Sequence, residues 1–161
     1  MSRNESHDER LNRELIELLN ELRVVLPGVQ VLFAFLLTVP FTNRFQRITN
    51  TQELVFFGTF LLTMITTGLL IAPSAYHRLR WRRHDKEQIL LTSNRLAISG
   101  MATLAMALSG AVYLVTDLLF ESVAAVAIVT AATVLFLFWF WYGLPLVRRI
   151  EDPEDTPFKR K

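Results

Sequence analysis

The chain has 161 residues, room for one domain, and 52% of them are apolar although 20% are charged. It contains no cysteine, which excludes disulfides, thiolate metal sites, iron–sulfur clusters and cysteine nucleophiles. Lys and Arg exceed Asp and Glu by only two, 17 against 15, and the pI near 9.3 reflects where the cations lie rather than a surface for nucleic acid.

In chain order, Ser6-His7-Asp8-Glu9 has the form of a capping box that opens a helix. From there Leu11, Leu15, Leu18 and Leu22 recur at alternating spacings of four and three, a heptad seam flanked by Arg10, Asn12, Arg13, Glu14, Glu17, Asn20 and Glu21. Residues 6–23 therefore read as an amphipathic helix that packs against protein, either a second copy of the chain or its own basic loop. Its mixed charge suits anionic lipid poorly. The first twenty residues lack an apolar segment followed by a small-residue cleavage site, so the first apolar run is expected to direct insertion.

Four long, nearly charge-free runs follow, at 24–41, 54–75, 96–116 and 123–144. Each is about 20 residues, the length that crosses a ~30 Å hydrocarbon core as a helix. None alternates as a barrel strand would, and a helix satisfies its own backbone hydrogen bonds where lipid cannot. The expected fold is all-α: one integral membrane domain, a four-helix bundle preceded by the amphipathic helix. Pro27-Gly28 predicts a bend between that helix and the first span, and Pro40, Pro73 and Pro145 read as kinks or terminators near span ends. Asn50 or Thr51 is expected to cap the second span, and the third helix should begin around Asp85–Gln88. The segment Asp117–Ser122 is short enough only for a tight hairpin, and the tail, 150–161, is expected to be disordered.

Only two of the 17 cations, Arg44 and Arg47, fall between the first and second runs, and none falls between the third and fourth. The positive-inside rule therefore places both termini and the basic loop Tyr76–Asn94 in the cytoplasm. Trp139, Trp141 and Tyr142 at one span end and Tyr76 and Trp81 at another suit the headgroup level.

Several strings carry a resemblance. Glu21-Leu22-Arg23 with the run Pro27–Leu37, then Ala72-Pro73, Ala75-Tyr76-His77-Arg78 and Asn94-Arg95-Leu96-Ala97, resemble a bacterial family of small four-pass membrane proteins whose function is unknown. The resemblance covers roughly residues 10–120. It implies the four-pass fold and the bacterial cytoplasmic membrane, and it implies no activity.

The candidate site residues form a polar cluster at the cytoplasmic border: Glu21, Arg23, Gln30, Tyr76, His77, Asn94 and Arg95. Ionisable groups at such depth are costly and face protein or water. Glu21 is the expected partner of Arg95, either as a packing network or as a site for a headgroup or small anion. His77 reads as a structural residue, since no histidine lies mid-span to ligate haem. Thr59, Thr63, Thr66 and Thr67 place hydroxyls on one face of the second span, to line a water path or to bond back to their own helix. The small residues Ser99, Thr103, Ala107 and Ala111 are expected to pack on Ala124, Ala127, Ala131 and Ala132 of the fourth span. Asp117 and Glu121 read as solvated hairpin residues.

No nucleotide-binding, zinc-protease or hydrolase motif is present, and no span carries a mid-membrane acid. The sequence therefore points away from an enzyme and implies no cofactor and no metal. The expected function is a non-enzymatic accessory or scaffold protein, a homo-oligomer or a subunit of a larger membrane complex, with Leu11, Leu15, Leu18 and Leu22 as its seam. The alternatives are an oligomeric channel or small-solute carrier, and a protein that binds anionic lipid.

Overall fold

The computed structural model describes residues 7–43, 45–80, 86–120 and 122–151, except for the side chains of 7, 8, 77, 79, 80, 86 and 148–151. Helix α1 runs over His7–Thr38, α2 over Asn50–Arg80, α3 over Lys86–Leu119 and α4 over Val123–Phe138. A π-helical turn, Trp139–Gly143, links α4 to the short α5, Leu144–Glu151. Four helical segments are long and apolar enough to cross a membrane: Glu9–Phe41, Asn50–Tyr76, Glu87–Leu119 and Val123–Val147. The described residues contain no strand.

α2 and α3 form the spine, an antiparallel pair held in one register along most of its length. Gln52 meets Asp117, Thr59 meets Gly110, Thr66 meets Thr103 and Leu70 meets Gly100, each step along α2 matched by a step back along α3. The two glycines permit the approach. A Cβ on Gly110 would collide with the Thr59 hydroxyl, and one on Gly100 would lie 2.7 Å from Leu70 Cδ2. Lipid supplies no hydrophobic force between helices, so contact at this range supplies the dispersion that holds them.

α1 lies along α2 and α3 and inserts one residue per two turns. Leu15, Leu22, Val29 and Leu36, spaced by seven, are buried, and Val29 is only 1% exposed. Leu22 and Val29 form a cluster with Leu70, Ala97 and Leu104, and Leu18, Val25, Leu26 and Trp141 pack around it. Farther along, Phe33 stacks on Phe60 with ring centroids 5.2 Å apart. Among the described residues α4 makes close backbone approach to α3 alone of the three long helices. The bundle is thus a three-helix core with α4 on its flank.

Several expectations are corrected. α1 passes through Pro27 as one helix, where a bend was expected. The proline ring faces outward, and Leu22 and Val29 on either side are clamped against the core. The cap of α2 is Thr49, not Asn50 or Thr51: Gln52 N–H donates to Thr49 Oγ1 at 3.3 Å, and Thr49 N–H donates to Gln52 Oε1 at 3.0 Å. The small residues of α3 face α2 rather than α4. Ser99 is exposed, and so are Ala124, Ala127, Ala131 and Ala132, because α4 turns Val126 to α3 instead. α3 reaches Leu119, so the hairpin is shorter than expected, and Ser122 caps α4 through Ala125 N–H. Helix persists through Glu151, two residues into the expected disordered tail, while Ser6 and the rest of the tail lie outside the described residues.

The π turn has a local cause. Pro145 offers no N–H, and its ring presses on the carbonyl four residues earlier, at Trp141. The turn before it widens, so that Leu144 N–H donates to Trp139 O, five residues back. Gly143 leaves room for the Trp139 indole, whose Cε3 would lie 2.9 Å from an added Cβ.

Gly110→Ala should lower stability by about 1–3 kcal/mol, the usual cost of overpacking. Thr59→Ala in the same chain should restore most of the loss. Unfolding in detergent micelles by titrated denaturant measures both.

Candidate functional site

The border cluster follows from helix geometry around buried neighbours. Successive residues on a helix are about 100° apart, so the residues next to an inward side chain point sideways or out. Leu22 and Val29 face the core, and Glu21, Arg23 and Gln30 beside them are exposed. Ser93 and Ala97 face inward on α3, and Asn94 and Arg95 are exposed for the same reason. Tyr76 is half-buried, and the side chain of His77 lies outside the described residues. The expected pairing of Glu21 with Arg95 is absent: among the described residues no ion pair joins them. The ion pairs of α1 lie on its exposed face instead, Arg10 with Glu14 at 2.8 Å and Arg13 with Glu17 at 3.9 Å. The cluster is thus a ring of outward polar groups around the helix ends, not a converged network.

The seam is largely used within the chain. Leu15 and Leu22 are buried, and Leu11 and Leu18 are half-buried. Of the two partners expected for this helix, the chain's own helices occupy it. The outward face of α1 presents Ile16, Val24 and Val31 instead.

The threonine stripe is closed. Thr59, Thr63, Thr66 and Thr67 each donate to the carbonyl four residues earlier, at 2.7–2.9 Å. Thr63 and Thr66 are fully buried against α3, where Thr66 Oγ1 lies 2.8 Å from Thr103 Oγ1. Back-bonding satisfies each hydroxyl locally, which lets the stripe serve as a small, smooth packing face. Ser93 Oγ and Thr130 Oγ1 are the buried hydroxyl oxygens without a hydrogen-bond partner among the described residues.

At the opposite end the structure adds a brace that sequence reasoning missed. Gln52 uses its carbonyl oxygen in the cap of α2 and its amide nitrogen to reach Asp117 Oδ2 at 2.6 Å, fastening α2 to α3. The Thr49-Asn50-Thr51-Gln52 spacing of a capping box was the available signal. Asp117 is therefore half-buried and hydrogen-bonded rather than a freely solvated turn residue, while Glu121 lies outside the described residues. At the arginine-rich end Tyr142 donates its hydroxyl to Ile98 O at 2.7 Å and ties the π turn to α3. Among the described residues no group of three or more His, Asp or Glu side chains could hold a metal ion.

The fold and these surfaces define an all-helical protein of the membrane-spanning type, with no converged polar site among the candidates. Within that class the chain belongs to a family of unknown function, DUF6328, whose model matches residues 4–145. The match extends past the expected 10–120 to take in α4 and the π turn. No curated protein and no solved structure matches the chain.

Gln52→Glu keeps the cap but sets a second carboxylate against Asp117. At pH 7 this variant should lose about 1–2 kcal/mol. The loss should shrink as pH falls towards 4 and one carboxylate takes up a proton. Denaturant unfolding at the two pH values measures it.

Proposed function

We propose that the protein is a non-enzymatic accessory or scaffold protein of the bacterial cytoplasmic membrane, with four spans and both termini inside. It acts through protein contacts at its arginine-rich end, as a homo-oligomer or as a small subunit of a larger complex. The observation that carries this reading is the outward surface of α1 near that end. There Ile16 and Val24 are more than half exposed, and Glu21 and Arg23 point out beside them without ion-pair partners among the described residues. Arg78 and Arg95 add exposed cations from α2 and α3. Apolar residues interleaved with unspent charge at a membrane border suit a partner that offers both, since lipid tails satisfy only the first.

A channel or carrier built on the threonine stripe has less support, because those hydroxyls are spent on their own helix and packed on α3. Anionic lipid at Arg23, Arg78 and Arg95 is the second reading, favoured by their exposure.

The absence of native cysteine makes the test direct. Ile16→Cys and Val24→Cys should give crosslinked adducts in native membranes, to a second copy or to a partner peptide, while buried Leu15→Cys and Leu22→Cys should give none. Monomer alone at all four positions would remove the basis for a scaffold. Accessibility tags should find both termini on the same face.

A further inference from the structure

At the end opposite the arginines, the last turns of α1 and α3 and the first turns of α2 enclose a chamber of 90 Å³. Its walls include Phe35, Leu36, Phe45, Phe56, Ala111 and Leu114. Phe45, from the linking segment, closes one side by an edge-to-face contact with Phe56, centroids 5.0 Å apart. Directly outside lies a wider cleft of 640 Å³ that presents Asn43, Arg47, Thr49 and Asp117. Ile48, Gln52 and Leu118 line both spaces, so chamber and cleft form one continuous recess, apolar within and polar at its mouth.

We propose that this recess holds one phospholipid of the adjoining leaflet, and that its headgroup is a phosphate bearing a primary ammonium, as in phosphatidylethanolamine. The depth suits an acyl chain: Leu114 is five residues, about 8 Å, from the end of α3 at Leu119, beneath the headgroup level. An apolar chamber of this kind stays dry and takes hydrocarbon rather than water. The charges at the mouth suit a zwitterion. Arg47 is exposed and forms no ion pair among the described residues. Asp117 is positioned through Oδ2 by the Gln52 amide, which leaves Oδ1 for a second donor. The guanidinium matches the lipid phosphate, and the carboxylate matches the ammonium. A primary ammonium brings three N–H donors and a quaternary one brings none, so the site discriminates against phosphatidylcholine. A headgroup with phosphate alone leaves Asp117 without its cation.

This inference shares with the proposed function only the bilayer-spanning reading, and carbonate extraction of the same membranes separates the two. The full chain, reconstituted with equal phosphatidylethanolamine and phosphatidylcholine of identical acyl chains, is ejected for native mass spectrometry. The ethanolamine adduct should exceed the choline adduct by about three- to fivefold, the range of a partly exposed ion pair. Asp117→Asn keeps an oxygen for the Gln52 amide and should erase the preference without loss of fold. Arg47→Gln should weaken both adducts, and Ala111→Phe, which fills the chamber, should remove both. Glycerophosphoethanolamine, the headgroup without chains, should not displace the lipid. Equal retention of the two lipids by the unaltered chain overturns the inference, and so does an undiminished preference in Asp117→Asn or displacement by the free headgroup. Protein released by carbonate would overturn the spanning reading as well.

Discussion

The closeness of α2 to α3 is the constraint on which the other contacts depend. In a bilayer the tails around a helix are as apolar as leucine, so helices associate only where backbones come near enough for dispersion and short hydrogen bonds to act. Gly100 and Gly110 remove the two side chains that would keep the pair apart. Opposite them, Thr59, Thr63 and Thr66 present a small surface whose polarity is already neutralised by their own helix. Gln52 and Asp117 fasten one end of the pair by a hydrogen bond that spans 65 residues of sequence.

Once that pair is set, α1 has a groove to occupy. A straight helix drifts about 20° per heptad against a seven-residue repeat, and slight bending holds Leu15, Leu22, Val29 and Leu36 on one line along the groove. The same repeat that marks coiled coils between chains is here satisfied within one chain. α4 has no comparable seat. It touches α3 along a narrow strip around Val126 and is tied at its far end by Tyr142 and by Trp141 against the core cluster. Its alanines face outward, where they are open to lipid or to another protein.

The two ends of the molecule then differ in kind. At the arginine-rich end, polar groups radiate from the helix termini without meeting one another, an arrangement fitted to contact something outside the chain. At the other end, polar groups converge on the Thr49, Gln52 and Asp117 brace and sit above an apolar chamber. One end resembles a contact surface, and the other resembles a receptacle.

Four apolar runs and the charge imbalance between their ends were legible because span length and the cost of a charge in hydrocarbon are local properties, readable residue by residue. The capping box of α2 was legible in principle, since Thr49 and Gln52 stand at the required spacing. The heptad spacing of Leu15 and Leu22 marked the buried face of α1, but spacing is silent about which surface covers it. For the same reason Gly100 and Gly110 were passed over in favour of Ala107 and Ala111, as only the opposing helix shows where a missing Cβ matters. Glu21 and Arg95 were expected to meet because both lie at the same depth. Depth is set by the sequence, but azimuth around the bundle is not, and the angle at which α1 seats on α2 and α3 turns both side chains outward. The sequence by itself thus determined helices, their lengths and their polarity along the membrane normal. The tertiary structure alone decided who faces whom, because lateral packing depends on close contacts between residues far apart in the chain.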